Sequence, residues 1–204
     1  MIVIQTIEAY KKNRYKVCMG NGTYLILYQQ ELRRYHLREG MEISEKLYQE
    51  LFYEIFGKRV KKRALALLEK MDRSEKNLRD KLGQDGYPQE LIDDAISYVA
   101  TFHYIDDRRY AANYIACRQN EKSLQQLRRE LLQKGIKKDV IEQALEEHYD
   151  SDDLEKIKII LQKKNYDSEA LDPKQKQKLY SYLLRKGFRS DDILSCMKCG
   201  EYLT

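Results

Sequence analysis

The chain has 204 residues, 35% of them charged, with a net charge of +5 and a mean hydropathy of −0.76. That polarity suits a thin, high-surface structure, and the length allows one medium domain or two small ones. The opening apolar run is too short for a membrane span and its charges follow it, which excludes a signal-peptide reading. The four scattered cysteines, Cys18, Cys117, Cys196 and Cys199, then point to reduced thiols in the cytoplasm.

Residues 1–57 read as a small β-rich domain with helices. Ile2–Ile7, Tyr15–Met19 and Thr23–Leu27 are short β-prone runs, and Asn21-Gly22 marks a hairpin turn. Glu31–Tyr35 and Ser44–Phe56 read as helices, the second capped by Ser44 and carrying Leu47, Tyr48, Leu51, Phe52 and Ile55 at helical spacing. A sheet of three short strands is marginal alone, so it is expected to pack on these helices.

The texture changes at Gly57. Residues 58–82 hold ten basic and four acidic residues, which reads as the strongest electrostatic feature of the chain. A solvated helix start is the plain reading, although a dense basic run there opposes the helix dipole. A strip facing phosphates is the functional one, and it puts Lys58, Arg59, Lys61, Lys62 and Arg63 among the candidate contacts.

From here the chain repeats itself. Leucines lie eight and four residues before each of Gly86, Gly135 and Gly187: Leu78 and Leu82, Leu127 and Leu131, Leu179 and Leu183. A bulky apolar residue follows each glycine (Tyr87, Ile136, Phe188), and an apolar pair or its remnant lies farther on. The expected architecture is mainly α: three tandem three-helix, helix-turn-helix-like repeats over 58–105, 106–150 and 151–204, stacked in an elongated array behind the antiparallel sheet. Each glycine is expected to end a helix in the left-handed conformation. The helix from Pro88 onwards is read as long, carrying Leu91, Ile92, Ala95, Ile96, Val99 and Phe102 before His103. Asp192 replaces the Leu91 and Val140 of the other copies, and the loop at 165–173 is longer, as suits a terminal unit.

The middle repeat is charge-balanced, nine basic to nine acidic, so only local orientation could make a binding surface there. Lys122 and Arg129 are expected to point away from the Leu124/Leu127/Leu131 stripe, with Arg128 at its margin and Arg109 opposite Tyr110 and Tyr114. With Lys134 they complete the candidate list. Tyr110 and Tyr114 themselves fall on the core stripe, where packing explains them without a ligand.

Nothing in the sequence calls for catalysis. Gly57-Lys58 lacks the remainder of a phosphate-binding loop, and His36, His103 and His148 are far apart. Cys196-Met197-Lys198-Cys199 has no second pair to complete a zinc site, and Cys196 falls where Ala95 and Ala144 lie, as a small core residue. No catalytic residue, metal or cofactor is expected.

Asp106-Asp107-Arg108-Arg109-Tyr110-Ala111, then Tyr114-Ile115, then Leu127-Arg128-Arg129-Glu130-Leu131-Leu132-Gln133-Lys134-Gly135-Ile136, resembles the central signature of RecX regulatory proteins. Tyr182-Leu183-Leu184-Arg185-Lys186-Gly187-Phe188 is similar to the C-terminal signature of that family, and Leu37-Arg38-Glu39-Gly40 to the extension of its longer members. One departure is Ser123, where many members carry glycine. The resemblance implies a modulator of the RecA recombinase that binds in the groove of the RecA–single-stranded DNA filament and blocks its extension and ATP-dependent activities. The partners it implies are RecA and single-stranded DNA, with duplex DNA left open, no membrane, and a monomeric protein. The alternative is a free-standing nucleic-acid-binding helical array that acts without RecA.

Overall fold

The structure is a computed structural model that describes residues 1–166 and 171–198. It divides into two compact units, Met1–Ile105 and the chain from Asp106 onwards.

In the first unit, β1 (Ile2–Lys11), β2 (Arg14–Met19), β3 (Tyr24–Tyr28) and a two-residue β4 (Glu42–Ile43) form an antiparallel sheet in the order β3-β2-β1-β4. β1 runs farther than its apolar pattern suggests and turns at Asn13, which takes a left-handed φ of 58°. The second hairpin turns at Asn21-Gly22, where the Asn21 side chain accepts from the Thr23 amide at 3.1 Å. α1 (Gln29–Arg34) follows, and then α2 (Glu45–Gln49), capped by the Ser44 hydroxyl on the Leu47 amide.

A π-helical stretch, Glu50–Gly57, continues α2 directly into α3 (Lys58–Lys70). The change of texture at Gly57 is therefore no break in the backbone, because Gly57 sits in the helix at φ −60°, ψ −46°. A side chain there would meet Leu91, whose Cδ2 lies 3.5 Å from the position of the missing Cβ. α4 (Glu75–Gln84) and α5 (Gln89–Thr101) complete the first repeat. Val17, Met19, Leu25 and Leu27 of the sheet share one continuous core with Phe52, Phe56, Leu78, Leu82, Leu91 and Val99. The sheet is thus stabilised by helices, as its size requires.

The second unit holds α6 (Asp107–Arg118), α7 (Leu124–Gln133) and α8 (Lys138–His148), then α9 (Asp153–Lys163), α10 (Pro173–Arg185) and α11 (Ser190–Lys198). Each trio has its own core, one around Ile115, Leu127, Leu131 and Ile141, the other around Ile157, Leu183, Phe188 and Ile193. Gly86, Gly135 and Gly187 follow α4, α7 and α10 with φ of 86°, 85° and 84°. Behind each, the next amide reaches back to the helix: Tyr87 to Leu82, Ile136 to Leu131 and Phe188 to Leu183. These bonds satisfy carbonyls that a helix end leaves open. Cys196 is buried, as its repeat position predicts, while Cys199 lies outside the described residues.

The helix after Pro88 stops one residue short of Phe102, which is 55% exposed, because α5 ends at Thr101 and the chain turns through His103 at φ 54°. No helix among the described residues is long and apolar enough to cross a membrane.

Candidate nucleic-acid interface

The basic strip of α3 and α4 is largely neutralised by acids that fold onto it. Lys58 pairs with Glu54 at 2.8 Å and Lys61 with Asp94 at 2.8 Å, its ammonium also lying over the Tyr98 ring. Arg63 bonds Asp85 at 2.7 Å, tying α3 to the end of α4. Arg59 turns inward: its guanidinium donates to the Ile26 carbonyl and Glu31 and covers the Tyr28 ring, which staples α3 to the sheet. Arg73 bonds Asn77 and the Leu67 carbonyl, and Arg79 bridges Glu75 and Asp93. Every arginine between 58 and 82 is thus engaged within the fold. Lys62 is exposed and makes no ion pair with a described residue.

The middle repeat shows the same commitment. Lys122 is expected to point outward, but its side chain is only 20% exposed and donates to Glu130 at 2.5 Å and to the Tyr114 hydroxyl at 3.3 Å. The reason is that Glu130, eight residues on in α7, offers it a carboxylate beside the Tyr114 hydroxyl. Burial works against the charge on Glu130, yet hydrogen bonds from Lys122, Tyr114 and Gln126 outweigh it and hold the carboxyl below its usual range. Arg128 forks both oxygens of Glu142 at 2.7 and 2.6 Å. Lys134 lies over the half-buried, nearly parallel rings of Tyr110 and Tyr114. Arg109 is exposed at the first turn of α6, its amide received by the capping carboxylate of Asp106 at 3.1 Å. Arg129 is exposed and makes no ion pair with a described residue.

The third repeat holds what the candidate list misses. Residues 173–189 contain six basic residues and no acidic one, so their net charge equals that of 58–82. Lys174, Lys178, Arg185 and Arg189 are exposed and make no ion pair with a described residue. Lys174, Lys178 and Arg185 are spaced by four and seven residues, which puts them on one stripe of α10. Asp172 caps that helix on the Gln175 amide at 2.8 Å, and Pro173 starts it. Lysines in the first turn then oppose the helix dipole, a cost that capping offsets but does not explain. The signal was present in the sequence as a run without acids.

Beside this stripe α10 and α11 border a groove of about 570 Å³, lined by Tyr166, Lys176, Tyr180, Leu194, Met197 and Lys198. The Tyr166 hydroxyl donates to the Met197 carbonyl at 3.1 Å, and the Tyr180 hydroxyl lies 2.8 Å from that of Ser190, so both rings are held at its rim. Cations on one stripe and aromatic rings along the next can hold phosphates and stack unpaired bases.

The seat of α10 on the middle repeat is fixed by buried polar groups. Ser123 caps α7 on the Gln126 amide and also donates to the Lys186 carbonyl at 2.8 Å. Next to it Gly187 approaches so closely that an added Cβ would lie 2.8 Å from the Ser123 oxygen. Lys156, 8% exposed, donates to the Lys122 carbonyl, the Tyr149 hydroxyl and Asp153. Burial, then Asp153, raises the pKa of Tyr149.

The chain is similar to known proteins in sequence and in fold. The chain matches the first three-helix domain of RecX over residues 61–98, the second over 106–145 and the third over 150–197. It is 31% identical over 198 residues to the regulatory protein RecX of Caldanaerobacter subterraneus, covering 95% of this chain and 96% of that one. The chain belongs to the RecX family. The Haemophilus influenzae regulatory protein RecX is 38% identical over 131 residues, 62% of this chain and 85% of its own. A crystal structure of regulatory protein RecX aligns with a TM-score of 0.63 at 26% identity, covering 98% of this chain and 99% of that one. RecX from Lactobacillus salivarius aligns with a TM-score of 0.61 at 25% identity, over 72% of this chain and 97% of that one. The three domain matches begin at residue 61, so the sheet lies outside them.

Proposed function

We propose that this RecX-family chain is a cytoplasmic, non-catalytic regulator that binds the RecA–single-stranded DNA filament and restrains RecA's activity in recombination and repair. The observation that carries the reading is the stripe of exposed cations on α10, next to the aromatic-rimmed groove. Membership of a family of regulatory proteins supplies the context. Lys62 and Arg129 add exposed positive charge elsewhere, whereas Arg59, Arg63, Lys122 and Arg128 act chiefly within the fold. A cationic protein lodged on the filament would compete for phosphates and obstruct the addition of further subunits.

The test is the single-stranded-DNA-dependent ATPase of RecA, titrated with the protein. Wild type is expected to suppress it. Replacing Lys174, Lys178 and Arg185 with Glu puts like charge against phosphate, which should raise the half-inhibiting concentration by about tenfold or more. Glu near the start of α10 favours the helix dipole, so circular dichroism should show both proteins folded. A wild type without effect on RecA, but still able to bind DNA, would establish the free-standing nucleic-acid binder instead.

A further inference from the structure

The sheet unit carries a second, unneutralised basic surface. Residues 9–38 contain seven Lys or Arg and a single acid, Glu31. That acid is taken up by Arg59, and the next one along, Glu39, bends back to accept the Ile7 amide at 2.7 Å. The Tyr35 hydroxyl engages Glu50 nearby at 2.7 Å. Lys11, Lys12, Arg33, Arg34 and Arg38 are all exposed, and none makes an ion pair with a described residue. Lys11 and Arg34 lie over the rings of Tyr10 and Tyr35, contacts that leave their charge uncompensated.

These cations are gathered by the fold. The amide of Gln29, at the start of α1, donates to the carbonyl of Asn13 at the β1–β2 tip, which brings Lys12 and Arg14 beside α1. Between tip and helix lies a cleft of about 550 Å³ lined by Tyr15, Gln29, Arg33, His36, Leu37 and Arg38. Its size is within the roughly 300–1,000 Å³ of small-molecule sites, enough for a base with its sugar. His36 adds a ring to the cleft from a left-handed φ of 52°, where α4, α7 and α10 have glycine at the matching position. A side chain there costs about 1–2 kcal/mol, so the ring is held in the cleft against a local penalty.

We infer that this cleft is a nucleic-acid site for a single strand, with phosphates on Lys12, Arg33 and Arg38 and one unstacked base inserted beside Tyr15. A duplex cannot supply that base, because its bases are stacked and paired. The inference stands apart from the RecA reading, since it needs only the charge and shape of this unit.

The experiment measures binding of a short fluorescent oligothymidylate to the full chain, without RecA, across a range of salt. Three proteins are compared: wild type, Lys12→Gln/Arg33→Gln/Arg38→Gln, and Lys46→Gln/Lys138→Gln/Lys163→Gln, which removes equal charge from exposed positions elsewhere. The cleft variant should lose roughly tenfold in affinity and about 2 from its salt slope, at about 0.7 per phosphate contact on a single strand. The charge-matched variant should keep the wild-type slope. Equal losses in both variants, or none in either, would overturn the site. Displacement of the oligonucleotide by thymidine monophosphate at equal phosphate concentration would make the cleft a mononucleotide pocket instead. A duplex that binds as tightly, and is as sensitive to the cleft variant, would overturn the single-strand assignment. Effects on the RecA ATPase bear on the other reading and leave this one untouched.

Discussion

The stretch 58–82 and the stretch 173–189 carry the same net charge, but the fold treats them in opposite ways. On α3 and α4 the cations are met by Glu31, Asp85, Asp93 and Asp94 and become cross-links between elements. On and just after α10 the four cations Lys174, Lys178, Arg185 and Arg189 stand exposed, and none makes an ion pair with a described residue. A count of charge along the chain cannot separate these cases, since phosphate contact depends on what remains unneutralised at the surface. Cations that hold the fold should therefore cost stability when removed, and cations left open should cost binding.

The largest stability effect is expected at Lys156, the most buried of the committed cations. Lys156→Ala strands Asp153 and the Lys122 carbonyl in a half-dry site, and breaking such a pair costs about 3–5 kcal/mol. Denaturant unfolding of the variant checks this. A change under about 1 kcal/mol would show that water replaces the ammonium readily.

Next comes Arg59→Gln, which removes hydrogen bonds to Glu31 and to the Ile26 carbonyl. Charge-assisted bonds of this kind contribute about 1.5–3 kcal/mol in partly buried sites, and the midpoint of unfolding should fall accordingly. Gly187→Ala is expected to cost on the order of 1–2 kcal/mol from its left-handed backbone alone, and more from the approach to Ser123. Gly22→Ala also has a positive φ but open space around it, so it should be the milder of the two by thermal melting.

A pH effect distinguishes the pairs further. The Glu130 carboxyl is held below its ordinary value in the fold, so it contributes stability that is full above its unfolded value, near 4.5. That contribution is lost as pH falls through the lower folded value. Unfolding free energy should drop as pH falls below that unfolded value, and Glu130→Gln should flatten that part of the profile. An unchanged profile would mean that Lys122 and Glu130 are held together by packing alone. Smallest of all, Arg129→Gln should change stability by no more than about 0.5 kcal/mol, as for an exposed side chain with no ion pair to a described residue.

Much of the fold was legible because its signals are local. Gly86, Gly135 and Gly187 end helices for the reason their spacing suggests: only glycine takes φ near 85° without strain. Ser44, Asp106 and Ser123 cap as their residue types predict. β4 was not legible, since two residues, Glu42 and Ile43, carry no pattern of their own. Nor was the π-helical stretch, which keeps Phe52 and Phe56 in the core with a hydrogen-bonding register that apolar spacing does not reveal. The site was less legible than the fold. Arg59 meets Glu31 across 28 residues and Arg63 meets Asp85 across 22, pairings that only tertiary structure supplies. The acid-free run of α10 could be read from the sequence, but not that no acid among the described residues pairs with Lys174, Lys178 or Arg185.

The most direct measurement compares the two stretches in one assay, the salt dependence of single-stranded DNA binding. Lys174→Gln/Lys178→Gln/Arg185→Gln should lower the slope by about 2, whereas Arg59→Gln/Lys61→Gln/Arg63→Gln should leave it near wild type while lowering the melting temperature. The reverse pattern, with the slope falling only for the α3 variant, would contradict the account and return the nucleic-acid contact to α3.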